Sequence, residues 1–382
     1  MIRSFDELYC EIEEKALLCS DDIFFAAKRE PQRPVVLYGA GGNCELGIYT
    51  CDSMMVPISC VCDSNAKKGQ IYNYKNRSFY EVISVERLFE KYSDALILIT
   101  TWQYDQEIKS SLCRCGFPEN RIFSLTSPFR ISPVEFRERY LNGYRWAYNM
   151  FQDARSRERV MDMIRNRLLG FPCYRDALYT DGYLSFPFPD EQLRDHEIYI
   201  DGGTYIGDTA LEFIQKMQNA NKQYGYIYSF DPEPQNCKIA KQNLEQYERI
   251  QIVPCGLWND KTTLYLKYNP TDPDLIVNYL VRSPDEETFN VPVTSLDIFF
   301  ADKEESDWPT LIKMDIEGSE NEALKGSEKI IKKKKPRLMI SAYHKPEDIY
   351  ELPQTILMIR DDYRFSLWKL GDGFHDMVLY AF

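Results

Sequence analysis

The segment Ile198–Thr209, IYIDGGTYIGDT, constrains this chain more than any other stretch of it. An apolar run that reads as a strand ends at Asp201. Gly202, Gly203 and Gly207 follow, and a helix-like run, TALEFIQKM, begins behind them. A strand, a glycine turn and a helix make a nucleotide-sized cradle at the edge of an open α/β sheet, and glycines let the main chain come close to a ligand with φ > 0. A second apolar run, Tyr224–Phe230, stops at Asp231, where such folds set an acidic residue against ribose hydroxyls. A third, Leu311–Met314, runs into Asp315 and Glu317. The pattern predicts a ribose-bearing ligand with acidic chemistry placed across from it.

The turn lacks the GxGxxG of a pyrophosphate cradle. S-Adenosylmethionine fits that absence, since it has a ribose and an amino-acid tail but no phosphate. Asp201 would help place the ammonium of the tail, and Asp231 would accept two hydrogen bonds from the ribose diol. Against this stands an ordinary tight turn with a solvated aspartate. At these residues the chain resembles the FkbM family of S-adenosylmethionine-dependent methyltransferases, over roughly residues 170–382 by its motifs and elements. The family pattern D-x-G-A-x-x-G-D-T stands here as DGGTYIGDT, with Thr204 for the usual Ala and with Asp208 and Thr209 matching. The family's F-E-P is Phe230-Asp231-Pro232, a shorter acid that must sit nearer the ribose. The hallmark K-x-D-x-E-G-x-E-x-x-A/V-L-K-G is matched almost throughout by KMDIEGSENEALKG, Lys313 to Gly326. VTSLD at Val293–Asp297 and the closing strand with Tyr343 and His344 match further segments. The resemblance implies a class I methyltransferase fold, S-adenosylmethionine as cofactor and methyl transfer, and leaves the acceptor open. The cofactor residues expected are Asp201, Gly202, Gly203, Tyr205, Gly207, Asp208, Thr209 and Asp231. Trp258, in the CGLW that follows the strand Ile250–Pro254, is expected over the adenine, with a surface or core aromatic as the alternative.

The N-terminal half repeats the same grammar. Residues 4–29 carry apolar positions at helical spacing (Phe5, Leu8, Ile12, Ala16, Leu17). Pro34–Tyr38 reads as a strand, Gly39-Ala-Gly-Gly as a turn, and Pro57–Cys62 as a second strand that ends at Asp63, again at a ribose position. Ala95–Thr101, a helix over Gln106–Cys115 and a short strand at Arg121–Leu125 complete a small doubly wound domain. GAGGNC has Cys44 where the third glycine normally permits close helix–strand packing. The stretch also resembles small Rossmann-like domains that accompany enzymes of sugar-nucleotide and surface-polysaccharide metabolism. A nucleotide or nucleotide-sugar there would touch Gly39, Gly41 and Asp63; a scaffold or docking role is the alternative.

Between the halves, Pro133 to about Leu169 carries aromatic residues at helical spacing (Phe136, Tyr140, Tyr144, Trp146, Tyr148). One or two helices are expected, with a break at Gly143 and a C-cap at Gly170, and the sticky face suggests interdomain packing or a homodimer seam. The aromatic and proline-rich segment 171–197 could fold over the cofactor turn. The expected architecture is two doubly wound Rossmann-like α/β domains, 1–130 and 171–382, joined by a helical linker, 131–170.

Composition bounds the partners. A net charge of −13 argues against nonspecific binding to nucleic acid or anionic lipid. No segment approaches the ~18 uninterrupted apolar residues of a membrane span, and the acidic, amphipathic N-terminus is unlike a signal peptide. Eleven scattered cysteines suit a reducing cytoplasm. The pairs Cys60/Cys62 and Cys113/Cys115 lack the spacing of zinc sites, and Cys60 and Cys62 read as two buried residues on one strand face. The run Lys332–Lys335 reads as a solvated helix terminus.

Methyl transfer needs a nucleophile held about 3–3.5 Å from the methyl with water kept away, and a hydroxyl nucleophile needs a base. Asp315 and His344 lie at the ends of neighbouring strands that converge on one crevice. The base is assigned to His344 or Asp315, with Glu317 orienting the acceptor; the alternatives are helix capping by the two acids and a core role for the histidine. Asp315, Glu317 and His344 are all competent metal ligands, but their spacing demands no metal and none is assigned. The leading function is O-methylation of a sugar, glycan or related small metabolite. The others are a nucleotide-sugar enzyme or oxidoreductase acting through the N-terminal domain, which lacks a Tyr-x-x-x-Lys pair, and a non-catalytic cofactor-binding assembly protein.

Overall fold

The computed structural model describes residues 4–18, 23–41, 43–53, 55–74, 78–101, 104–125, 131–169, 182–184, 192–267, 279–283, 288–370 and 377–382. The chain divides into two compact units, Met1–Pro133 with Arg165–Pro172 and Val134–Ile164 with Cys173–Phe382. Each contains a doubly wound sheet, and the helical stretch 133–169 lies between the two sheets in sequence.

The first unit opens with helices Phe5–Leu18 and Ile23–Arg29. Phe5, Tyr9, Ile12 and Ala16 are buried at the 3.6-residue period of a one-sided helix. Six strands follow: β1 Val35–Tyr38, β2 Ile58–Cys62, β3 Ile71–Tyr74, β4 Ser78–Ile83, β5 Leu96–Ile99 and β6 Ile122–Ser124, in the order β3-β4-β2-β1-β5-β6. Strand β1 lies parallel between β2 and β5. The antiparallel pair β3–β4 is an addition to the expected pattern. It carries no continuous apolar run, since Ile71 and Phe79 are exposed, so periodicity does not mark it. The close helix–strand approach expected of a third glycine occurs at Gly47, inside helix Asn43–Ser53, where a Cβ would stand 2.7 Å from Thr100 Cγ2. Cys44 is fully buried. Cys60 and Cys62 are buried together in the apolar cluster on one sheet face, and burial pushes their thiols up to about 11 and about 12.

The second unit holds β7 Glu197–Gly202, β8 Tyr224–Phe230, β9 Ile250–Val253, β10 Gly256–Leu257, β11 Thr262–Lys267, β12 Tyr279–Val281, β13 Thr288–Thr294, β14 Leu311–Met314, β15 Arg337–Ser341, β16 Phe365–Lys369 and β17 Met377–Ala381. Seven of them form the main sheet, β16-β17-β15-β14-β7-β8-β9. All neighbours are parallel except β17, which runs antiparallel to β15 and β16. Strands β7, β14, β15 and β17 are buried along their whole length, as in a sheet covered on both faces. From β7 the chain winds to β8 and β9 on one side and later to β14 and β15 on the other, so the switch point opens between β7 and β14. A small sheet, β10-β13-β11-β12, adjoins it in sequence.

The helical stretch forms three helices, Pro133–Arg139, Leu141–Met150 and Ala154–Leu169, rather than one or two. Gly143 lies inside the second instead of breaking it, because its missing side chain admits the Tyr350 ring: a Cβ there would stand 2.4 Å from Tyr350 Cδ1. Phe136 and Tyr144 are fully buried, with ring centroids 5.0 Å apart and Tyr144 6.2 Å from Tyr350. The aromatic face that suggested a dimer seam is thus packed within the second unit. Gly170, the expected C-cap, lies outside the described residues. Lys332–Lys335 ends helix Glu328–Lys334 and pairs at the surface with Glu328, Glu305 and Asp362. No helix among the described residues is long and apolar enough to cross a membrane.

The Gly143 contact carries a prediction. Gly143→Ala overpacks this helix crossing and is expected to cost about 1–3 kcal/mol in urea unfolding. Most of that cost should vanish when the substitution is made in a Tyr350→Ala background.

Candidate functional site

The carboxyl ends of β7, β8 and β14 meet around a cavity of about 400 Å³. The turn after β7 is built from hydrogen bonds that its sequence dictates. Gly203 and Thr204 donate their N–H groups to Phe230 O at 2.9 and 3.0 Å, which ties the turn to the end of β8. Gly203 has φ +72°, and a Cβ on it would stand 1.8 Å from Asp315 O, so only glycine fits. Gly207, with φ +85°, starts helix Asp208–Asn219. Tyr205 also takes a left-handed conformation, φ +47°, uncommon for a non-glycine residue.

Asp201 is fully buried. It accepts hydrogen bonds from the Thr204 and Thr209 hydroxyls, both at 2.7 Å, and pairs with Lys313 Nζ at 3.3 Å. Lys313 sits beside it in register on β14 and donates to Gly203 O at 2.7 Å. Burial opposes the Lys313 charge, but Asp201 and then Asp315 raise its pKa above the ordinary lysine value. Asp201, expected to help place a ligand ammonium directly or through water, is turned away from the cavity. Neither Asp201 nor Gly202 lines the cavity, because the two threonines and the lysine turn the carboxylate inward. Lys313 does line it. Sequence reasoning passed over Lys313 as a site residue, although it is the first letter of the hallmark motif.

Gly203, Tyr205, Asp208 and Thr209 line the cavity from the turn. Asp231 faces it from the end of β8. One of its oxygens accepts from Tyr205 N–H at 3.0 Å; the other accepts from Glu233 N–H at 2.9 Å and Asn236 Nδ2 at 3.3 Å. Burial outweighs these bonds and pushes the carboxyl up to about 6. Gly256, Leu257, Leu266 and Leu280, from the small sheet, form an apolar wall. Trp258 is not part of that wall. It follows the two-residue strand β10; its main-chain carbonyl lies against Gly326, and the Arg282 guanidinium is 5.8 Å from its ring.

Beyond β14 the cavity is lined by Asp315, Ile316 and Glu317. Neither acid caps the next helix, Glu320–Lys325, whose N-cap is Ser319. Glu317 has φ +56° and Gly318 φ +87°, a tight reversal that keeps both acids at the sheet edge. Asp315 accepts from the hydroxyls of Tyr183 at 2.9 Å and Tyr343 at 3.2 Å. Burial would raise its pKa, but Lys313 and then His344 hold it below the usual carboxylate value. His344 stands behind the acids, outside the lining. Its Nε2 is 3.2 Å from Glu317 and 3.5 Å from Asp315, and its Nδ1 is 3.1 Å from Glu320. Burial opposes the imidazole's charge, yet Glu320, Glu317 and Asp315 raise its pKa well above that of an ordinary histidine. Sequence reasoning also missed Tyr183 and Glu320. Tyr183 belongs to the short described stretch 182–184 of the aromatic segment; the rest of that segment, up to residue 191, lies outside the described residues. In the first unit Asp63 accepts from Ala40 N–H and Asn65 N–H, both at 2.8 Å, so its carboxylate braces the glycine turn.

The buried pair at the sheet centre is open to a double-mutant test. Lys313→Met or Asp201→Asn alone is expected to destabilise the fold by about 3–5 kcal/mol. The double variant should cost clearly less than the sum, as read from urea unfolding midpoints.

A family profile described as "Methyltransferase FkbM domain" matches residues 201–367. It opens on Asp201 and contains every residue that lines the cavity except Tyr183. No curated protein matches the chain. Among solved structures, a methyltransferase FkbM from Methylobacillus flagellatus KT is 21% identical, with a TM-score of 0.71 over 99% of this chain and 99% of that chain. A precorrin-6y C5,15-methyltransferase from Geobacter metallireducens GS-15 is 12% identical, with a TM-score of 0.29 over 50% of this chain and 80% of that chain. Residues 201–367 are thus an FkbM-type methyltransferase domain, and a further N-terminal α/β region precedes it.

Proposed function

We propose that this enzyme methylates a hydroxyl of a sugar, glycan or related small metabolite, with Asp315 as the base. The observation that carries this reading is the pair of unlike carboxylate walls on one cavity, Asp231 on one side and Asp315 with Glu317 on the other. The cofactor's ribose diol donates to Asp231, its adenine lies against Leu257, Leu266 and Leu280, and Gly203, Tyr205, Asp208 and Thr209 surround its tail. Asp201, Gly202 and Gly207 shape the turn from behind. Acidic side chains that accept hydrogen bonds suit a hydroxylated acceptor. Asp315 is the base rather than His344 because Asp315 borders the cavity and His344 does not. Glu317 orients the acceptor, and His344 acts as a positioning residue at ion-pair distance from both acids. Tyr183 and Tyr343 fix the Asp315 carboxylate plane.

Asp231 gives the reading a pH signature. Its raised value means that ionising it in the unliganded fold costs stability as pH rises from its ordinary 3.8 through about 6. Two hydroxyl donors favour the ionised form, so the bound pKa lies below the free one. Affinity for S-adenosylhomocysteine, measured by calorimetry, should therefore be flat above about pH 6 and weaken below it, by at most about tenfold per pH unit. Asp231→Ala should bind weakly and lose this dependence. A wild type that does not bind S-adenosylhomocysteine, or whose affinity ignores pH in that window, would defeat the assignment. In a screen of sugar and glycan acceptors, Asp315→Asn should lower kcat by about 10²–10⁴-fold with cofactor affinity little changed. Equal kcat in the variant would remove Asp315 as the base.

A further inference from the structure

Behind the cavity lies a group of side chains that cofactor binding and proton removal leave only partly used. Glu320 is wholly buried. One of its oxygens accepts from Ile316 N–H at 2.9 Å, while Oε2 has no hydrogen-bond partner among the described residues. The His344 side chain is 9% exposed, and neither of its ring nitrogens makes a hydrogen bond, although carboxylate oxygens stand 3.1–3.5 Å away. Ligand atoms of Asp315, Glu320 and His344 all lie within 4.8 Å of one another. Charged and polar groups so buried are normally satisfied by hydrogen bonds, by a partner or by a metal. Here the carboxylates stand at ion-pair distance from the imidazole, while Glu320 Oε2 is left without a hydrogen bond.

The surrounding charge points the same way. Glu317 and the buried Asp348 add to the acids of the cluster. Lys313 is committed to Asp201 and Gly203 O, and Lys345 Nζ donates to Gly318 O. We propose that Asp315, Glu320 and His344 form a binding site for a divalent first-row transition metal ion beside the cavity. One imidazole nitrogen and two carboxylates make a mixed donor set. Such a set suits ions like Mn²⁺ better than Mg²⁺ or Ca²⁺, which prefer oxygen ligands throughout. Three protein ligands leave coordination positions open, and Asp315 belongs both to this cluster and to the cavity lining. The ion would therefore sit next to the acceptor's side of the cavity. The binding claim stands whether or not the acceptor is a sugar.

The test uses the full chain after chelator treatment, titrated with Mn²⁺ and followed by electron paramagnetic resonance. A single saturable Mn²⁺ per chain is expected, with nitrogen hyperfine coupling from the imidazole. Glu320→Gln should weaken binding at least about tenfold, whereas Glu233→Gln, which changes a cavity carboxylate outside the cluster, should not. The urea unfolding midpoint of each variant reports on its fold. Should Glu320→Gln fail that check, the nitrogen coupling in the wild type and its loss in His344→Phe decide. Absence of saturable binding, bound Mn²⁺ without nitrogen coupling, or a folded Glu320→Gln that binds like the wild type would each overturn the site. None of these outcomes bears on cofactor affinity, so this inference and the methyl-transfer reading fail separately.

Discussion

The ion pair between Asp201 and Lys313 holds the catalytic edge of the sheet in register. The two residues face each other across the central strands β7 and β14, and both are buried. A buried pair of this kind contributes little net stability unless its remaining hydrogen-bonding capacity is met. Here it is met: two threonine hydroxyls complete the aspartate, and a turn carbonyl takes a lysine proton. The lysine also lies beneath the Tyr183 ring, 5.3 Å from its centroid. One ammonium thus connects the cofactor turn, the strand that carries Asp315 and the aromatic residue that orients it.

The cavity uses one residue type in two opposite environments. Asp231 is held by amide donors, and burial raises it. Asp315 is held low by Lys313 and His344 despite burial. Environments that push two carboxylates apart in this way generally mark a division of labour. The acid that is costly to ionise gains most from the donors of a ligand. The acid kept ionised remains a charged hydrogen-bond acceptor through the neutral range.

Much of this was legible in the chain itself. The acids at Asp201, Asp231 and Asp315 declare themselves because buried parallel strands run mostly apolar up to them. The glycine turn is legible because a side chain at Gly203 has nowhere to go. What escaped is contact across the sheet. Nothing local shows that Lys313 reaches back to Asp201, since the pairing depends on the register of strands far apart in sequence. Glu320 reads as an ordinary acidic helix start, and only the fold carries His344 to it. The inward turn of Asp201 escaped for the same reason, because Thr204 and Thr209 look like turn chemistry until their hydroxyls are seen to close on one carboxylate. The facing of Trp258 stayed open because a strand of two residues, β10, gives no period from which to read it.

The contact between Gly203 and the Asp315 carbonyl bears on how such an enzyme can diversify. Main chain meets main chain there, with no room for a side chain between them. The partition that separates the cofactor turn from the β14 edge is made of backbone, which substitution cannot thin or thicken without breaking the turn. Variation in what the cavity admits is therefore left to side chains beyond β14, such as Ile316, that border it. A lineage built on this fold would hold its cofactor geometry nearly fixed while its acceptor range drifts.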